Sequence, residues 1–191
     1  MTTQAFEVLP LTPERWEDFS VLFGTHGAYG GCWCMWWRTT RKQFELNGNL
    51  GNQQAMQDIV NTGIIPGILA YRDGVPIAWC SLAPREDYAS LNRSRVLKPI
   101  DDQPVWSLVC FFVAKPQRGQ GIARQVLNGA IDYAAQQGAK IIEAYPTIPR
   151  SGSLPPISSF MGVPSLFTAA GFVEVAHPSP ARLIMRYTIA R

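Results

Sequence analysis

Apolar residues run almost unbroken from position 105 to position 113, VWSLVCFFV, with Ser107 the one polar residue among them. A run so rich in β-branched and aromatic side chains predicts a strand buried on both faces. The pattern then changes period. Ile122, Ala123, Val126, Leu127, Ala130, Ile131 and Ala134 recur at helical spacing and form one apolar stripe. Gly138 follows as the residue that ends this helix. Between strand and helix lies Arg118-Gly119-Gln120-Gly121.

The rest of the chain follows from the same reading. Residues 6–11 predict a first strand, and Thr12 with Pro13 opens a helix that Gly24 stops. Residues 41–47 and 52–61 predict two short helices separated by Gly48 and Gly51. Strands over 67–71 and 75–82 form a hairpin through Asp73-Gly74, a strong turn signal. One helical segment is expected over 84–91 and a polar surface connection over 92–104. Residues 140–145 are a buried strand, and the proline-rich stretch 146–156 is a long irregular loop. A short helix over 165–170 ends at Gly171, and strands over 172–176 and 182–189 close the chain.

A strand, a glycine-rich turn and a helix together make a phosphate-binding arrangement. The first N–H groups of a helix lack internal partners, and the helix dipole adds positive charge there. Gly119 and Gly121 would let an anion approach the backbone, and Arg118 adds a cation. The plainer reading, that the glycines only serve the turn, stands beside it. The P-loop pattern fails because Ile122-Ala123 stand where it needs Lys and Ser or Thr. The dinucleotide fingerprint fails because its set of three glycines and an acidic residue about 20 residues on is incomplete.

Arg118, Gly121 and Ala123 do fill the signature of the GNAT superfamily of acyl-CoA-dependent N-acetyltransferases: Arg or Gln, any two residues, Gly, any residue, Gly or Ala. Val113, Lys115-Pro116 and Gly171-Phe172 also resemble family positions, and the element order is the family's along essentially the whole chain. The blocks GCWCMWWR and EAYP resemble one bacterial branch. The resemblance implies an α+β fold in a single domain over 1–191, with a mixed central sheet of seven strands flanked by helices. Splayed central strands would form the coenzyme cleft.

The same resemblance implies acetyl-CoA as co-substrate. Backbone groups around Phe112 and Val113 would pair with the pantetheine arm as an added strand does. The amides of Gly119, Gln120, Gly121, Ile122 and Ala123 would hold the pyrophosphate, with Arg118 and Arg124 beside them. Direct attack by a primary amine needs the amine to lose a proton and the leaving thiolate to gain one. The central strand carries no carboxylate, so Glu143, a lone acid in an apolar strand, is the candidate base. Tyr145 shares its face and is a candidate proton donor. A structural carboxylate paired to an arginine is the other reading of Glu143. The tyrosine that often protonates the thiolate is replaced by Phe167, and the asparagine that often starts that helix by Phe160, leaving Ser165, Tyr145 or water as substitutes.

Composition narrows the partners. The chain is 47% hydrophobic and 16% charged, enough for a core, and its net charge of +3 is too small to argue for nucleic acid. No stretch reaches the roughly 18 continuous apolar residues of a membrane span, and no signal peptide is recognisable, so no membrane partner and a cytoplasmic location are expected. Cys80 and Cys110 sit in apolar runs as reduced core residues. Cys32-Trp33-Cys34 lacks a second ligand pair, so no metal site is expected. The acceptor side would be lined by Tyr29, Cys32, Trp33, Cys34, Trp36 and Trp37, for which core packing is the favoured role. Arg38 and Arg85 read as surface charges. Members of the superfamily often dimerise, so a homodimer is one expectation for assembly.

Three functions remain open. The favoured one is transfer of an acetyl group from acetyl-CoA to a small-molecule amine. The second is an acyl-CoA-binding module without efficient turnover. The third is a thiol redox or metal protein built on Cys32 and Cys34.

Overall fold

The computed structural model describes residues 5–149 and 159–190. Seven strands form one sheet in the order β1-β2-β3-β4-β5-β7-β6. They are β1 (Phe6–Pro10), β2 (Gly67–Arg72), β3 (Val75–Pro84), β4 (Trp106–Val113), β5 (Ile141–Ala144), β6 (Val173–Ser179) and β7 (Arg182–Thr188). Only β4 and β5 run parallel; every other neighbouring pair is antiparallel. The helices are α1 (Trp16–Phe23), α2 (Arg41–Asn61), α3 (Ala89–Asn92), α4 (Ile122–Gln136) and α5 (Pro164–Thr168). This is the α+β architecture, with a mixed seven-stranded sheet, that the family resemblance implies.

Strand alternation sorts the core onto two faces. Ile68, Ala70, Ala78, Cys80 and Leu82 turn to the face covered by α4 and α5. Leu69, Tyr71 and Trp79 turn to the other face, against α1, α2 and residues 33–35. Ala83, Val109, Tyr145 and Ile184 gather with Tyr88, Leu91 and Leu97 in a third cluster. Ile122, Val126, Leu127, Ala130 and Ala134 are the buried stripe of α4. Each large aliphatic side chain buried this way stabilises the fold by about 1.5–3 kcal/mol. Gly129 lets α4 touch β1, since a Cβ there would come within 2.7 Å of Val8.

Three local expectations are corrected. The segment over 84–91 is a 3-10 turn, Arg85–Asp87, followed by the separate short α3. The two helices over 41–61 do meet at Gly48 (φ 58°), but the second begins before Gly51, which lies inside it instead of separating the two. Thr40 caps α2 by accepting the Gln43 N–H at 3.2 Å, whereas the Thr12 hydroxyl accepts from Arg15 Nη1 instead of capping. The loop expected over 146–156 falls largely outside the described residues. Among the described residues, no helix is long and apolar enough to cross a membrane.

Candidate active site

The site begins at a fork between β4 and β5. Their pairing covers only Trp106↔Ile142, Ser107↔Glu143 and Leu108↔Ala144. On its other edge β4 pairs with β3 from end to end, but Leu82↔Leu108 is followed by Ser81↔Cys110, which leaves Val109 as an extra residue. Such a bulge bends a strand and increases its twist. It lies where β4 leaves β5, and β4 continues to Val113 paired with β3 alone.

Hydrogen-bond direction alternates along β4, which decides which residues face the open edge. Ala114 donates to Ile77 O at 2.9 Å, and Phe112 lies opposite Trp79, so both turn their backbone groups toward β3. Phe112 therefore does not offer its backbone to the fork, contrary to the sequence expectation. Phe111 and Val113 do. The Phe111 N–H donates to Phe160 O at 2.6 Å, and Val113 O accepts from Arg118 Nε at 2.9 Å.

Below the fork lies the glycine turn. Gly119 and Gly121 both have φ near 75°, the left-handed region that a side chain with Cβ avoids. A Cβ built on either meets nothing within 4 Å, so the space beside the turn is open. Gly121 is the residue at which α4 starts, with Ile122 buried and Ala123 half-buried behind it. Arg118 and Arg124 are exposed beside the turn. Arg72, at the end of β2, braces it by donating to Gln117 Oε1 at 2.8 Å and Gln120 Oε1 at 3.0 Å. Nothing in the sequence marks Arg72 for this role, since it is distant in the chain and sits at a hairpin end.

At the closed end of the fork, Glu143 is not the lone acid that the sequence suggested. It is 1% exposed, and both its oxygens are taken. Oε1 accepts from Arg85 Nη1 at 3.0 Å and from the Tyr145 hydroxyl at 2.7 Å; Oε2 accepts from Arg186 Nε at 2.8 Å. Arg186 also clasps Asp101 with both terminal nitrogens, at 2.6 and 2.9 Å. Tyr145 is fully buried, and its hydroxyl lies 2.7 Å from Ser107 Oγ and 2.8 Å from Arg85 Nη1. Burial, and then the Glu143 charge, push the Tyr145 hydroxyl well above its ordinary value. The pair is brought together, but inside a closed network of the kind the paired-carboxylate reading describes.

Arg85 and Arg38 are also corrected: they are 7% and 9% exposed, not surface charges. Arg38 lies over the Tyr88 ring at 4.5 Å and donates to Pro66 O at 2.9 Å. Around it, the aromatic segment splits. Trp33, Cys34 and Met35 are core, with Trp33 stacked on Phe23 at 5.8 Å. Trp36 packs edge-on against Phe44 and already carries the Arg41 guanidinium at 5.2 Å, while Tyr29 is exposed. Phe167 is buried against Phe111 and Phe172, and Ser165 is exposed on α5. Among the described residues, no three His, Cys, Asp or Glu side chains are grouped to hold a metal ion.

Solved structures share this architecture. One is PaiA N-acetyltransferase of Thermoplasma acidophilum in complex with coenzyme A, 14% identical, with a TM-score of 0.54 over 97% of this chain and 99% of that one. Another is ribosomal-protein-alanine N-acetyltransferase of Brucella melitensis, 17% identical, TM-score 0.54, covering 96% and 99%. YncA of Salmonella typhimurium, solved with acetyl-CoA, is 14% identical with a TM-score of 0.53 over 96% and 94%. At such identities these likenesses speak for the fold. No curated protein matches the chain. Residues 32–154, from the aromatic segment through the fork and glycine turn to β5, match the model of the acetyltransferase (GNAT) family, and the chain belongs to that family.

Proposed function

We propose that the protein transfers the acetyl group of acetyl-CoA to a primary amine of a small molecule. The observation that carries this reading is the fork: β4 leaves β5 after Leu108, has no strand paired to that edge beyond it, and runs into a left-handed glycine turn at the start of α4. An extended amide-bearing arm adds to such an edge as a strand does. Phe111 and Val113 are the residues whose backbone groups would receive it, in place of Phe112. The pyrophosphate would lie on the turn formed by Gly119, Gln120, Gly121, Ile122 and Ala123, near Arg118 and Arg124. The fit is supported by the open space where a Cβ of Gly119 or Gly121 would stand. The solved relatives named above that hold coenzyme A or acetyl-CoA agree with this choice.

In this reading the neutral amine attacks the thioester carbon while a β4 amide at the open edge supports the charge growing on the carbonyl oxygen. The carbon–sulfur bond then breaks and the thiolate takes up a proton. Glu143 and Tyr145 act as positioning residues that fix β4 against β5 at the base of the fork. Their engagement also favours a second reading, a domain that binds acyl-CoA without efficient turnover.

The test is coenzyme A release from acetyl-CoA, followed by chromatography, across a panel of small primary amines. Amine-dependent release with an acetylated product supports transfer. Saturable acetyl-CoA binding with no release above the uncatalysed rate for any amine supports the second reading and overturns the first.

A further inference from the structure

Cys34 and Cys110 are far apart in sequence and meet on the α1–α2 face of the sheet. Cys34 is buried in the cluster there and Cys110 packs against it, Trp79 Nε1 donates to Cys34 Sγ at 3.2 Å, and each thiol is the largest electrostatic influence on the other. Ser81, the partner of Cys110 across β3 and β4, also lowers the Cys34 thiol. The other cysteines are turned elsewhere. Cys80 alternates with Trp79 and Ser81 and so points into the cluster beneath α4. Cys32 lies in a tight turn whose Met35 N–H donates to the Cys32 carbonyl at 2.8 Å, and burial raises its thiol. All four are free thiols.

The backbone that presents Cys34 is itself unusual. Trp33 and Cys34 have φ of 43° and 60°, two successive side-chain-bearing residues in the left-handed region. Conformations of this kind persist only where surrounding structure imposes them, and they collect at functional sites. Packing of Trp33 and its indole bond to Asn49 Oδ1 at 2.6 Å supply that constraint. The neighbouring Cys110 thiol, and after it Trp79, Ser81 and the Arg38 charge, outweigh burial and draw the Cys34 thiol below its ordinary value. Lowering a thiol favours its thiolate, the reactive form.

We propose that Cys34 and Cys110 form an oxidisable dithiol that hydrogen peroxide closes to a disulfide. A small neutral oxidant is the fitting one, because Cys34 is 5% exposed and its partner Cys110 is half-buried. The Cys34 thiolate attacks one peroxide oxygen, the O–O bond breaks, and hydroxide leaves and is protonated to water. The Cys110 sulfur then attacks the resulting sulfenic acid; an S–S bond forms, the S–O bond breaks, and a second water leaves with the Cys110 proton. One peroxide is reduced to two waters and two thiols are oxidised. The disulfide would tie the aromatic segment to the bulge of β4, next to Phe111. The inference is independent of coenzyme binding.

The experiment treats the full chain with excess hydrogen peroxide, blocks remaining thiols with N-ethylmaleimide under denaturing conditions, and maps non-reduced peptides by mass spectrometry. The expected result is a Cys34–Cys110 cross-linked peptide, lost after dithiothreitol, with Cys32 and Cys80 alkylated. Cys34→Ser and Cys110→Ser each lose the cross-link, and Cys32→Ser keeps it. The wild-type map decides the question even where a variant fails to fold. A Cys32–Cys34 cross-link, sulfinic acid on Cys34 with Cys110 still alkylated, or full alkylation of both thiols after peroxide would overturn the proposal.

Discussion

Arg85 Nη1 lies 3.0 Å from Glu143 Oε1, joining the turn after β3 to β5 across the intervening β4. Arg186 holds the other oxygen at 2.8 Å, so one buried carboxylate gathers two guanidinium groups at the base of the fork. Removing one member of a buried ion pair leaves charge without compensation, at a cost of about 3–5 kcal/mol. Glu143→Gln is therefore expected to lower stability by roughly that amount, read from urea unfolding. A loss under about 0.5 kcal/mol, the size of an ordinary surface change, would show that the network does not hold the fork.

Asp101 belongs to the same network at its exposed end. The hydrogen bond from Arg186 holds its carboxyl below the usual range. A lowered folded value means that its contribution is present above the unfolded pKa, near 3.9, and is lost as pH falls through the folded value. Thermal midpoints of the wild type should fall between pH 6 and pH 3. Asp101→Asn should start lower and fall less over that range. Parallel curves would contradict the role of Asp101.

The elements at the heart of the fold were legible because their periodicity is strong. The run ending at Val113 and the stripe from Ile122 to Ala134 fixed β4, α4 and the turn between them. Asp73-Gly74 likewise placed the hairpin. The charged network was half legible. Ser107 and Glu143 stand out as polar residues in apolar strands, but Arg85 and Arg186 lie 58 and 43 positions from Glu143. Nothing local distinguishes them from surface arginines such as Arg93. The orientation of Phe111 against Phe112 was also hidden, because the side chains of both are apolar and only the pairing with β3 sets which backbone faces out.

The glycine turn gives a sharper test of ligand binding than of folding. Gly121 has φ 75° and open space beside it. A side chain there meets about 1–2 kcal/mol of backbone strain, equivalent to a few degrees of melting temperature. Its Cβ also enters the space assigned to the pyrophosphate. Gly121→Val should weaken acetyl-CoA at least tenfold while the melting temperature falls by only a few degrees. Unchanged affinity would remove the turn from the binding site.

The bond from Phe111 N–H to Phe160 O, 2.6 Å long, occupies the edge that the coenzyme is proposed to use. Acetyl-CoA binding should therefore alter amide exchange in peptides covering 159–163 and leave the β1–β2 edge of the sheet unchanged. If saturation with acetyl-CoA leaves residues 159–163 as they were, the coenzyme does not take the Phe111 amide.

The most direct measurement is calorimetric titration of the full chain with acetyl-CoA, repeated on Arg118→Glu. Micromolar affinity in the wild type, weakened more than tenfold by the charge reversal, is the expected result. No binding by the wild type, or equal binding by the variant, would contradict a coenzyme site at the fork and its glycine turn.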